Sequence, residues 1–112
     1  MPHISVEQVQ DIRLRLKKRF PEVKFSVVKA HHSSVIVAIM ESEYSWSKNY
    51  MDINYFYPEN YENSKFLTEV INIMNVGNDD KYYDPDYGMI PSFYIELTVG
   101  KFGKPHKFKR GH

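Results

Sequence analysis

Residues 19–28 read R-F-P-E-V-K-F-S-V-V, and Pro21 divides this run between two periodicities that cannot share one element. Proline does not extend a helix and biases the residue before it towards extended geometry, so helical spacing must stop near Phe20. Upstream, Val6, Val9, Ile12, Leu16 and Phe20 recur at steps of three and four, one stripe of an amphipathic helix. Ser5 with Gln8 three residues on has the spacing of a capping box. Downstream, Val23, Phe25 and Val27 alternate with Lys24 and Ser26, the pattern of a half-buried strand. The junction therefore sets the frame of the domain: a basic helix locked onto a first strand.

The remaining elements follow from the same patterns. Residues 29–34 form a polar connector, and 35–40 (V-I-V-A-I-M) are apolar on both faces, which suits the central strand of a sheet. Residues 51–57 read as a third strand with Ile53, Tyr55 and Tyr57 on one face, ended by Pro58, although 41–62 as a whole reads equally as a loop. A second helix is expected from Asn63 or Ser64 to about Asn75, with Gly77 placed to end it. An acidic, tyrosine-rich loop covers 78–91, and 92–99 alternates Phe93, Ile95, Leu97 and Val99 with polar residues as a last strand. A chain of 112 residues supports one core. The expected fold is a single α+β domain over 1–100, an antiparallel sheet of three to four strands with two helices on one face, in the order α-β-β-(β)-α-β. Residues 101–112 are expected to be a basic, flexible C-terminal tail.

The net charge of +1 conceals a segregation. Residues 1–40 carry +4, 41–86 carry −7 and 87–112 carry +4. Such a dipolar surface steers partners more than it decides folds. With no cysteine, disulfides and thiolate chemistry are excluded. No run approaches the roughly 18 apolar residues of a membrane span, and residues 1–5 do not open a secretory signal, so the cytoplasm is the expected setting.

No catalytic pattern is present. The chain lacks a G-x-S-x-G elbow and a phosphate-cradling G-x-x-x-x-G-K, and pairs such as Asp52 with Glu59 or Glu41 with Glu43 are what any acidic chain offers. His31 and His32 are adjacent on a strand connector and point apart, with His3, His106 and His112 elsewhere, so no metal spacing exists. The Asp79, Asp80, Asp84 and Asp86 group lacks the register of a calcium loop. Neither an enzyme nor a cofactor is expected.

The stretch I-S-V-E-Q-V-Q-D-I-R-L-R-L-K-K-R-F-P-E-V-K-F-S-V-V, followed by Ser33-Ser34-Val35-Ile36-Val37, resembles the start of the large polyvalent protein-associated domains of class twenty-nine. In that family a helix ends in a basic residue and F-P-x-V-K-F-S-V, and the next strand begins at a Ser-Ser pair. The likeness covers about the first forty residues. It implies a phage, plasmid or related mobile-element setting and no defined chemistry, so no catalytic residue carries over. Where such domains often place a Trp-Thr-Asp-Gly-Pro turn after the second strand, this chain has Glu41-Ser42-Glu43-Tyr44-Ser45-Trp46 and an aromatic insertion reaching Tyr61.

Macromolecular binding is the expected activity, and two surfaces compete for it. The first is acidic and aromatic: Tyr44, Trp46, Tyr50, Asp79, Asp80, Tyr82, Tyr83, Asp84 and Asp86 would dock on a host protein, a defence or regulatory target. The alternative is basic: Arg13, Arg15, Lys17, Lys18 and Arg19 of the first helix with Lys104, Lys107, Lys109 and Arg110 of the tail would hold nucleic acid without sequence preference. Lys101 belongs to the same basic set.

Overall fold

The computed structural model describes residues 3–78, 82–84, 88–90 and 92–109. Helix α1 (Val6–Arg19) starts at Ser5, whose side chain accepts from the Gln8 backbone while the Gln8 side chain accepts from the Ser5 backbone, the capping box expected from the sequence. The helix ends at Phe20, whose N–H still reaches the Leu16 carbonyl. A turn through Pro21 then feeds β1 (Lys24–Ala30), which pairs antiparallel with β2 (Ser34–Ser42). His31 sits in the hairpin turn at φ 55°.

The third strand is much shorter than expected: β3 spans Met51–Ile53 alone. Asn54 stops it. Its side chain accepts from the Phe56 N–H and its carbonyl from the Tyr57 N–H, so the backbone closes a local turn instead of continuing a ladder. A single 3-10 turn (Pro58–Asn60) leads to α2 (Ser64–Met74). A small hairpin, β4 (Tyr82–Asp84) with β5 (Gly88–Ile90), lies within the acidic segment read as a loop. The last long strand is β6 (Tyr94–Val99), followed by a two-residue β7 (Lys107–Phe108).

The sheet order is β1-β2-β6-β3, with β7 also beside β2. The antiparallel sheet expected from the sequence is corrected here: β6 runs parallel to β2, from Ser34↔Tyr94 to Ile39↔Val99, so the sheet is mixed. The physical reason is the connection: the chain runs back along β3 and passes through α2 before β6 enters between β2 and β3, antiparallel to β3 and hence in the direction of β2, which a tight hairpin from β2 cannot achieve. Val27, Val35, Val37, Ile39, Ile95, Leu97 and Val99 are buried on one face, where both helices cover them with Ile12, Leu16, Leu67, Val70 and Met74. No helix among the described residues is long and apolar enough to cross a membrane.

Phe66 of α2 is the centre of an aromatic cluster that joins every part of this layer. Phe20 meets it edge-on at 4.9 Å and Tyr44 stacks on it at 4.3 Å, with Phe25 and Trp46 at 6.3 and 6.4 Å. Such pairs add to the burial of large rings. Replacing Phe66 by Ala should lower unfolding free energy by about 3–5 kcal/mol, whereas Phe102→Ala, on an 88% exposed ring, should stay within about 0.5 kcal/mol. Urea unfolding checks both, and equal midpoints for the two variants would contradict the assignment of Phe66 as the hub.

Candidate functional site

The basic tail is not left free of the domain between residues 101 and 109. At the end of β6 the Gly100 N–H bonds to the Ile39 carbonyl, and the chain then leaves the sheet for a tight turn in which Lys101 and Lys104 exchange both backbone hydrogen bonds, at 2.8 and 2.9 Å. It returns as β7, which pairs parallel with Glu41 and Ser42 of β2. Because β1 already occupies the other side of β2 at Glu41, β7 resumes the line of β6 after a short excursion. Gly100, at φ +72°, is required there: a Cβ would sit 2.3 Å from the Asn49 carbonyl oxygen and 2.7 Å from the His106 nitrogen.

His106 anchors the returning segment. Its ring is buried, its backbone N–H donates to the Asn49 carbonyl, and Nε2 lies 2.8 Å from the Ser42 hydroxyl. Trp46 packs edge-to-face against the imidazole, and its own indole N–H is buried with no hydrogen-bond partner among the described residues. Burial pushes the His106 pKa below its ordinary value of 6.5, while the Glu41 carboxylate partly opposes the shift.

This docking assembles a basic groove from residues far apart in sequence. One part is lined by Arg13 and Lys17 of α1, Lys24 at the start of β1, Glu22, Glu41 and Lys109. The adjoining part is lined by Lys24, Lys101, Lys104 and Lys107, with Phe25, Ser26, Met40 and Glu41 as its floor. The two parts share Lys24, Phe25 and Glu41, and in register Glu41 stands between Lys24 on β1 and Lys107 on β7. Among the described residues, seven cationic side chains thus line the groove against two carboxylates. No ion pair among the described residues engages the lysines of the groove.

The other expected cations are placed differently. Arg15 pairs with Asp11 and Arg19 with Glu69, both at 2.7 Å, and Lys18 lies with them in the separate groove between the helices. Arg13 stands at the rim of the basic groove, where it donates to the Val27 carbonyl of the edge strand β1 at 2.7 Å and to the Gln10 side chain. Arg110 lies outside the described residues. Lys24 is the groove residue that sequence reasoning missed, since its alternation marked it only as the solvent side of a strand.

Of the acidic, aromatic candidates, the three with described side chains, Tyr44, Trp46 and Tyr50, do not share one surface. Trp46 is a core residue and Tyr44 a half-buried one, both spent on the Phe66 cluster. Tyr50 is exposed and meets Phe102 edge-on. Tyr82, Tyr83 and Asp84 belong to the small hairpin, and Asp79, Asp80 and Asp86 lie outside the described residues. Among the described residues no three His, Asp or Glu side chains converge as metal ligands would.

Fold and site together define a small α+β domain, two helices on a mixed sheet, that carries a lysine-lined groove at the outer end of β1 and β2. The chain belongs to the family described as large polyvalent protein associated domain 29, whose family model matches residues 5–87, and this membership fits a protein associated with mobile elements. The matched segment runs from the N-cap of α1 past α2, so β6 and the lysine-bearing tail lie beyond it. Nothing among the curated proteins or the solved structures matches the chain.

The His106 anchor gives the tail a pH dependence of definite sign. Above pH 6.5 the imidazole is neutral in both folded and unfolded states and its contribution is fully present. As pH falls through 6.5 the unfolded chain takes up the proton first, so stability declines until the folded imidazole also titrates, at its lower value. Denaturant midpoints measured above and below pH 6.5 should therefore separate more in the parent chain than in His106→Gln. An identical pH slope in both would contradict the burial-driven shift.

Proposed function

We propose that this mobile-element-associated chain binds the phosphate backbone of nucleic acid through the groove between α1, β1 and the returning tail. The observation that carries the reading is the convergence of Lys17, Lys24, Lys101, Lys104, Lys107 and Lys109, drawn from three separate segments, without carboxylate partners for their side chains among the described residues. A concentration of like charge along one groove attracts a polyanion, which releases its own condensed counterions on binding. Lysine heads on long stems follow a backbone as point charges and carry no base readout, so binding is set by charge and strand shape.

Docking on a host protein has less support. Its aromatic anchors Tyr44 and Trp46 hold the core together, and a ring already packed against Phe66 is not available to a partner's pocket.

Titration of a labelled oligonucleotide at several salt concentrations tests the proposal. Affinity should fall steeply with salt, and replacing Lys104 and Lys107 together by Gln should weaken binding and lower the log–log slope by about 0.7 per lysine for a single strand. Arg15→Gln with Arg19→Gln should leave both unchanged. Equal binding of polyglutamate and oligonucleotide, or a groove variant that binds like the parent, would overturn the reading.

A further inference from the structure

We infer that the groove takes single-stranded rather than duplex nucleic acid, with Phe102 as a stacking platform for one base; this rests on the phosphate-binding reading above. Phe102 occupies the tip of the Lys101–Lys104 turn and is 88% exposed, the most open large apolar side chain among the described residues. A ring in that position gains nothing for the core, yet the backbone holds it firmly. The reciprocal hydrogen bonds of Lys101 and Lys104 close the turn, Gly103 supplies the φ of +80° that a type II turn needs at its third residue, and Gly100 and His106 clamp the base of the excursion on Asn49.

The same turn lines the basic groove, through Lys101, Gly103 and Lys104. Tyr50, itself exposed, stands edge-on to Phe102 with ring centroids 6.4 Å apart and leaves the Phe102 ring supported at its side. An exposed aromatic face flanked by lysines is the arrangement that holds an unpaired base while cations track the phosphates on either side. A duplex keeps its bases stacked on one another and has none to offer the ring. The preference follows from the ring, whereas the basal attraction follows from the lysines.

Fluorescence anisotropy with three probes of equal phosphate number separates the two claims: oligothymidine, the same strand made abasic, and a duplex. Oligothymidine should bind more tightly than the abasic strand, and Phe102→Ala should reduce its affinity roughly five- to hundredfold while leaving the abasic strand and the duplex unchanged. Phe102→Tyr should restore the preference. Circular dichroism of the Phe102→Ala chain should match the parent, since the ring is 88% exposed. If all three probes bind equally, with strong salt dependence, and Phe102→Ala has no effect, the stacking role is overturned and the lysine groove stands. If none binds, both are overturned.

Discussion

The edge-on contact of Phe20 with Phe66 is the interaction on which the rest of the structure depends. Phe20 is the last residue held by the helical pattern of α1, and Pro21 immediately after it prevents the helix from carrying the ring past that point. Phe66 comes from α2, on the far side of the insertion. Their meeting ties the end of α1, where Pro21 stops it, to α2 and so places both helices on the sheet. Tyr44, Trp46 and Phe25 then close around the same ring, so the segment between the sheet's second strand and α2 is drawn into the core.

That arrangement has a consequence at the opposite end of the chain. Once Trp46 is turned inwards, its edge-to-face neighbour is His106, and the tail is held to β2 through Ser42 and to the segment after β2 through Asn49. The aromatic core and the basic groove are therefore connected physically: the ring that sequence reasoning offered to a partner is the wall against which the tail docks. Lys109 faces Arg13 and Lys17 of α1, and Lys101, Lys104 and Lys107 lie beside Lys24 of β1, because this docking puts them there, which no local propensity of K-F-G-K-P-H-K-F-K would do.

Much of the frame was legible in the sequence because it rests on local rules. The capping box at Ser5, the break at Pro21, the alternation of Phe93, Ile95, Leu97 and Val99 and the helix ending before Gly77 each depend on residues a few positions apart, and the structure has them. What was not legible depends on long-range pairing. The parallel register of β6 on β2 needs the crossover geometry, and the third strand was cut short by an Asn54 side chain that competes with the ladder. The candidate site divides in the same way. A basic helix and a basic tail are visible as composition, but composition does not show that Arg15 and Arg19 are neutralised by Asp11 and Glu69 while Lys24 joins the groove. The exposure of Phe102 and the burial of Trp46 are likewise decided by the fold, although both are aromatic residues in polar segments.

Amide chemical-shift mapping during titration with oligothymidine tests the central claim most directly, because it locates the ligand on the fold. The account predicts saturating shifts at Lys17, Lys24 and Lys101–Lys109, with little change at Arg15, Lys18 and Arg19. Shifts confined to the groove between the two helices, or no saturable shifts at all, would contradict it.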